Sequence, residues 1–377
     1  MSPTKTVAAD IRTRNIMAAF RLLFPAARIS RSELGRQLGL SRMAANEVTR
    51  EMLDEHIIRE IGEDTRTGRG KRSQVLAIDT AHWRVLSVDL SEPYVLKGAV
   101  VDLCGRIVDR TEIPSDDPER ADFEDVTALS RQLMDMAGDA PVLGLGLAVP
   151  GIVDADGNVI HAVHLGWHDL PARQRLEDAL QVPVLVGNAT DAALLAERHF
   201  GEGSDNSMLI RIGAGVGASL CVNGEIVEGQ HYMAGEIGHV VVDPNGPDCA
   251  CGKRGCVEAY LSTTNLYAQI AADPAARIEI LTGAGQMLGR IMAVSLGLLD
   301  LGDVALDAPA DIAGEAFLNG MRGELSSAMT SHTSHHIPRL HRCQVGSDAS
   351  LRGQAIAVIH RLVPTIRTRT ADGTATH

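Results

Sequence analysis

Apolar residues recur at helical spacing in the first fifth of the chain and gather into short strand-like runs after it. Ile16, Met17, Phe20, Leu23 and Phe24 share one face of a helix predicted over Ile11–Phe24, which Pro25 ends. Ser30 stands where an N-cap would, and Glu33 three residues on completes the pattern of a capping box, so SRSELGRQLG reads as a second helix ending near Gly39. Leu40 and Ser41 form a short turn, and Ser41 caps a third helix in SRMAANEVTREMLDEH. Two strand-like runs, Ile57–Ile61 and Gln74–Ile78, then flank a polar loop rich in Gly, Arg and Lys.

Two short helices joined by a Gly-containing turn and followed by such a hairpin have the pattern of a winged helix-turn-helix, predicted here over residues 1–80. In that arrangement the third helix enters the major groove of double-stranded DNA by its first residues. Ser41, Arg42, Met43, Ala45 and Asn46 are expected near base edges, with Asn46 suited to adenine and Arg42 to guanine or a phosphate. Ser30, Arg31 and Arg50 are expected beside them, and Arg66, Arg69, Lys71 and Arg72 on the wing, against phosphates or in the minor groove. A small protein-binding module with a solvated basic loop is the competing reading.

From Trp83 the texture changes. Val85–Asp89 and Gly98–Asp102 read as paired strands, Pro141–Val149 as a buried strand followed by the turn cluster PGIVDADGN, and Val182–Val186 as a strand leading into a helix over Thr190–Phe200. Met208–Ile212 precedes the glycine loop GAGVGA, and Ala218–Cys221 continues as strand. Strands alternating with helices place the body in the α/β class. The last residues, TRTADGTATH, carry no periodicity and are expected to be disordered (368–377).

Charge sharpens the division. The 377 residues carry a net charge of −13, which excludes a chain that coats nucleic acid along its length. Between Ile11 and Ser73, however, the net is +5, and residues 74–377 hold −18. A basic head on an acidic body suggests that the head alone meets a polyanion. No apolar run reaches membrane-spanning length, the N-terminus lacks the order of a secretory signal, and thiol usage suits a reducing compartment; a cytoplasmic protein without membrane contact is expected.

The densest chemistry lies at residues 239–256. His239, Cys249, Cys251 and Cys256 offer one imidazole and three thiols, and three of the six cysteines fall within eight residues. Four such ligands fit a closed tetrahedral Zn²⁺ site with no open position for water, so the ion is expected to shape a loop and do no chemistry. Gly252 and Gly255 permit the tight turn.

GLAVPGIVD at 146–154, LIRIGAGVGASL at 209–220, AGEIGHVVVD at 234–243 and CACGKRGCVEAY at 249–260 resemble the ROK family of repressors, open reading frames and sugar kinases, over roughly Ile11 to Leu362. The resemblance implies two actin-like, ribonuclease-H-like lobes around a cleft. These are expected at 81–195, with a C-terminal helix at 350–367 returning to that lobe, and at 196–349, which includes the zinc loop. It also implies a homodimer or homotetramer. Members that carry a winged head are similar to sugar-responsive repressors such as the xylose and N-acetylglucosamine repressors, and a dimer of them meets a palindromic operator. Members without it are mostly sugar kinases.

Against the family's kinase pattern the chain departs at four places. The phosphate turn Asp-x-Gly-Gly-Thr becomes Asp89-Leu90-Ser91-Glu92-Pro93. Gly-Thr-Gly becomes Gly213-Ala214-Gly215. No Gly-Gly-Gly turn appears near Leu306–Pro309. The base of Glu-Asn-Asp-Ala-Asn is replaced in Gly187-Asn188-Ala189-Thr190-Asp191. Alanine accepts no proton, so no enzymatic activity is expected. The sugar-facing set is retained. The resemblance carries Asn188, Glu236, His239 and Glu258 onto positions that bond sugar hydroxyls, although Glu236 and Glu258 would also serve as flanks of the metal. His164 stands where many members have Asn. The missing carboxylate at Ala189 leaves room for a sugar 6-phosphate as effector. The expected function is a sugar-responsive DNA-binding regulator, most simply a repressor of carbohydrate uptake or catabolism genes. The alternatives are a sugar kinase with an added head, an effector-independent regulator and a protein-binding scaffold.

Overall fold

The computed structural model of the chain describes residues 3–63, 74–115, 121–329 and 337–366. The wing residues Arg66, Arg69, Lys71 and Arg72 and the tail 368–377 lie outside the described residues.

The head begins with α1 (Pro3–Leu23), which starts before the expected Ile11 and buries Ile16, Phe20 and Leu23. β1 (Ile29–Ser30) leads into α2 (Arg31–Gln37), capped by the Ser30 hydroxyl, which accepts the Glu33 amide. The capping box is left incomplete, because the Glu33 carboxylate accepts from Arg36 and Gln37 instead of reaching back. α3 (Arg42–Asp54) is capped by Ser41, whose hydroxyl accepts the Ala44 amide. β2 (Ile58–Glu63) and β3 (Gln74–Ile78) pair antiparallel, with β1 on the far side of β3.

The body follows with β4 (Arg84–Asp89), β5 (Val95–Val101), β6 (Ile107–Pro114), α4 (Phe123–Ala137), β7 (Val142–Val149), β8 (Ile152–Val153), β9 (Val159–Ala162), β10 (Trp167–Leu170), α5 (Ala172–Leu180), β11 (Val184–Asn188) and α6 (Ala189–Phe200). Then come β12 (Ser207–Ile212), β13 (Val216–Val222), β14 (Glu225–Ile226), α7 (Glu258–Leu261), α8 (Thr263–Ala272), α9 (Arg277–Leu299), β15 (Asp303–Asp307), α10 (Glu315–Met329), β16 (Arg339–Arg342) and α11 (Ala349–Leu362).

Two five-stranded sheets share one plan. The first runs β6-β5-β4-β7-β11 and the second β14-β13-β12-β15-β16. In each, three strands form an antiparallel meander, and two more add in parallel beside the first of them. The segment PGIVDADGN, expected as a turn cluster, contributes β8 to a small β8-β9-β10 sheet. β5 starts earlier than the expected Gly98 because Lys97, a charge inside an apolar run, is neutralised by pairing with Glu92.

α11 packs on α6 and on strands β4 and β7 of the first sheet. Gly353 permits the α6 contact, since a Cβ there would fall 1.6 Å from the Ala192 carbonyl oxygen. A single apolar cluster joins Ile16, Phe20 and Leu23 of the head to Val85 of β4 and to Leu351 and Ile359 of α11. Head and body thus share one core, not two cores joined by a linker.

Candidate ligand cleft and metal centre

A cavity of about 620 Å³ is lined from both five-stranded sheets, by Asn188 and Ala189 at the end of the first and by Arg211 and the Gly213–Gly217 loop of the second. Asn188 ends β11 and caps α6. Its Oδ1 accepts the amides of Thr190 at 2.7 Å and Asp191 at 3.2 Å, and its Nδ2 donates to the Gly151 carbonyl at 3.0 Å. One amide hydrogen therefore stays free for a ligand. Ala189 is buried among Ala148 and Ala192. Asp191 does not line the cavity. It accepts the Ser219 hydroxyl at 2.6 Å, and burial pushes its carboxyl up to about 6.

His164, Glu236, His239 and Glu258 all line the same cavity as Asn188, so the five predicted ligand residues converge. A Cβ built on Gly215 would lie 2.9 Å from Glu258 Oε2 and 3.2 Å from His164 Nε2, so only glycine lets the loop come this close. Glu258 Oε2 accepts the Val216 amide at 3.0 Å, which fixes the carboxylate on the loop. Glu236 is raised above the usual carboxylate range by burial, with His239 opposing the shift and Glu258 adding to it.

His239 belongs to two sets. Its Nδ1 lies 3.8 Å from Cys249 Sγ, and its Nε2 lies 4.0 Å from Glu236 Oε2. Cys251 and Cys256 place their sulfurs 3.7 Å apart, and the four donor atoms of His239, Cys249, Cys251 and Cys256 all lie within 4.8 Å of one another. A tetrahedron with metal–sulfur bonds of ~2.3 Å has edges of roughly 3.8 Å, so the cluster could hold a metal ion. Gly255 is indispensable to the loop: its φ is +66°, and a Cβ there would lie 1.5 Å from the Asp243 carbonyl oxygen.

Charged groups beside the cleft are committed within the chain. Asp89 is buried and accepts the Ser91 amide at 2.9 Å, and burial raises its carboxyl. Arg211 pairs with Asp307 at 2.7 Å, and its Nη2 donates to the Ser350 hydroxyl at 2.9 Å. Sequence reasoning passed over Arg211, although a lone arginine between Ile210 and Ile212 of a buried strand is itself a signal.

On the head, Arg42, Asn46 and Arg50 are exposed at four-residue spacing on one line of α3, and Met43 is 80% exposed beside them. Ala45 is turned inward and buried against Gly35 of α2, so it presents nothing outward. Ser30 and Ser41 commit their hydroxyls to caps, and Arg31 pairs with Glu60 at 2.8 Å.

Paired sheets of like topology, a cleft lined from both, and a His–Cys₃ cluster sharing a residue with that cleft define a two-sheet α/β ligand-cleft protein. The chain belongs to the ROK family, whose model matches residues 94–361. It is similar to a glucokinase of Halalkalibacterium halodurans, 38% identical over 47% of this chain and 56% of that protein. It is also similar to the xylose repressor of Bacillus subtilis, 28% identical over 62% of each. The match thus spans less than two thirds of the length of these curated relatives. A solved ROK family transcriptional regulator, described as a homologue of the Escherichia coli Mlc protein, shares the fold with a TM-score of 0.81, at 23% identity, over 96% of this chain and 100% of that one.

Proposed function

We propose that this chain is a DNA-binding transcriptional regulator, a repressor of carbohydrate genes, whose body takes a sugar or sugar 6-phosphate in the cleft and transfers no phosphate. The observation that carries this reading is α3. It is a capped helix following a short turn, and it presents Arg42, Met43, Asn46 and Arg50 outward from a basic head. On this reading residues 1–80 are a winged helix-turn-helix, 81–195 with α11 the first lobe, and 196–349 the second. Asn46 and Arg42 read bases, and Arg50 and the wing arginines hold phosphates. The likeness to a xylose repressor supports the regulatory role.

Sugar hydroxyls suit the free amide N–H of Asn188, the carboxylate acceptors of Glu236 and Glu258 and the imidazoles of His164 and His239. Zn²⁺ suits the His–Cys₃ set, as a structural ion that fixes the His239 ring and the 249–258 loop. Near the end of α9, Val294 and Leu298, one turn apart, are 70% and 80% exposed, an apolar spot that suits self-association into a homodimer or homotetramer able to span a palindromic operator. No helix among the described residues is long and apolar enough to cross a membrane, and we place the protein in the cytoplasm.

The glucokinase relative favours a second reading, a sugar kinase with an added head. Ala189 at the base position and Pro93 in the phosphate turn weigh against it, since neither offers the proton acceptor or the N–H that phosphoryl transfer requires. The test is a gel shift on duplex from the gene's own upstream region, at rising salt, with and without glucose, N-acetylglucosamine, xylose and the hexose 6-phosphates. Binding that weakens steeply with salt and changes with one of these ligands is expected. Absence of any shift would overturn the reading. A shift indifferent to every ligand would leave an effector-independent regulator.

A further inference from the structure

The cleft is larger than a single sugar ring, and its lining is divided in kind. A lone hexose displaces roughly 180 Å³, the volume of about six waters at ~30 Å³ each. The cavity measures about 620 Å³. Asn188, Glu236, His239 and Glu258 supply polar groups to one part of it. The division runs through the turn between β9 and β10. There His164 brings its Nε2 within 3.2 Å of the place a Gly215 Cβ would take, beside Glu258 Oε2. Its two chain neighbours, Val163 and Leu165, also line the cavity and are apolar.

The apolar part has a floor and a rim. Leu90, Leu96 and Leu165 form the floor, nearly fully buried and members of one apolar cluster with strands of the first sheet. Tyr94 and Val163 stand at the rim, and Met233 and Val240, between β14 and α7, line the cavity as well. All four are large apolar side chains left in solvent, Tyr94 58% and Met233 54% exposed. Exposed apolar groups gathered round one cavity mark a ligand groove. Tyr94 also holds a φ of +66°, left-handed backbone that a bulky residue adopts at a cost and that recurs where a ligand is bound. Glu92, two residues before it, lines the cavity too, and its carboxylate disfavours an anionic group on this side.

We infer that the apolar part is an aglycone subsite, and that the cleft takes a neutral aryl glycoside. Its sugar is held by hydroxyl contacts at Asn188, Glu236 and Glu258, and its aromatic substituent lies on the leucine floor beside Tyr94 and Val163. This deepens the sugar-cleft reading above and rests on it. An uncharged ring fills space that a monosaccharide leaves to water, and it covers the exposed rim. A second sugar ring of similar size would carry its hydroxyls onto leucine side chains, where they lose hydration without gaining a partner.

The experiment is isothermal titration of the full-length protein with the methyl and phenyl glycosides of glucose, N-acetylglucosamine and xylose, in both anomers, and with cellobiose and maltose. One phenyl glycoside is expected to bind about tenfold or more tighter than its methyl partner, the return for burying one ring. Cellobiose and maltose are expected to fall short of it. Tyr94→Gly and Val163→Ser should each narrow the gap between phenyl and methyl. Glycine suits the backbone at 94 and Val163 is exposed, so neither variant threatens the fold. Methyl glycosides that bind as tightly as phenyl ones would overturn the subsite and leave the sugar-cleft reading standing. A disaccharide that matches the phenyl glycoside would overturn the aryl assignment, and a full phenyl preference in both variants would overturn the placement. A native protein that binds none of these compounds would overturn the subsite and the sugar cleft together, and an intact gel shift would then show that the DNA-binding reading survives.

Discussion

Phe24 of the head meets His360 of α11 edge to face, with ring centres 5.2 Å apart. His199, near the end of α6, stands 5.1 Å from each of them, and Phe200 lies 6.0 Å from Phe24. The other ends of the same two helices are at the cleft, where Asn188 caps α6 and Ser350 bonds Ala189. Two packed helices therefore run from the ligand cavity to the base of the head. A ligand that shifts the starts of α6 and α11 shifts the surface on which the head sits, provided it binds the two arrangements unequally.

The joint can be tested apart from its ends. Phe24→Leu should cost about 1–2 kcal/mol of stability through lost packing at a site that is nearly fully buried. It leaves α3 intact, so DNA affinity without ligand should change little. The expected result is a weaker ligand effect on DNA binding, measured by gel shift with and without the effector. An unchanged ligand effect in a destabilised variant would place the coupling elsewhere.

Acid should loosen the same joint. Burial, aided by Arg198 and Arg21, holds His199 down to about 4, and burial with His199 beside it holds His360 down to about 3. Both rings are neutral in the folded chain at pH 7, while in the unfolded chain they titrate near 6.5. The unfolded state binds more protons between those values, so this stability is complete above pH 6.5 and is lost as pH falls toward 4. Denaturant melts at pH 7.5 and 5.0 should differ by on the order of 1–2 kcal/mol more in the native protein than in His360→Leu.

Asp191 titrates in the opposite sense. Burial lifts its carboxyl to about 6, so the folded chain binds more protons than the unfolded chain between 3.8 and 6. Its contribution is best at low pH, declines as pH rises through that window, and stays low above it. Asp191→Asn keeps an acceptor for Ser219 and removes the buried charge. It should raise stability at pH 7.5 by on the order of 2 kcal/mol, with the gain vanishing near pH 4. Paired thermal melts at the two pH values check both halves of this.

What the sequence disclosed followed how local the cause was. The head helices were legible because Ser30 and Ser41 are caps read from neighbours and because Ile16, Phe20 and Leu23 keep a strict period. The converging site was legible because thiols, glycines and the residues beside them are scarce and clustered. β16, with the sequence RLHR, was not, since its strand state comes from pairing with β15 and not from any apolar alternation. The Arg211–Asp307–Ser350 arrangement was not either, because its members lie 96 and 139 residues apart. The shared core of head and body was hidden for the same reason.

Cys251→Ser removes one of four donors at an exposed position, so the substitution itself should disturb little packing. If the cluster holds zinc, metal content measured after dialysis should fall from stoichiometric to near zero, and the 249–258 loop should become protease-sensitive. Effector binding should weaken with it, since His239 is shared by both sets. Full zinc retention would mean that Cys251 is no ligand.

Ala189→Asp returns a carboxylate to the position where a kinase would hold its base. One carboxylate does not make a phosphotransferase. Pro93 still lacks an N–H, Glu92 still sits in the phosphate turn beside Lys97, and Arg211 and Asp307 still occupy each other. Positioning and charge stabilisation carry most of phosphoryl transfer, and neither is restored. ADP release from ATP and glucose, followed by a coupled assay, should stay indistinguishable from the native protein. The same variant should bind a hexose 6-phosphate less well than the native protein does, because the new negative charge faces the phosphate. A variant that phosphorylated glucose would show that the nucleotide side of the cleft had remained competent all along, and that alanine alone silences the chain.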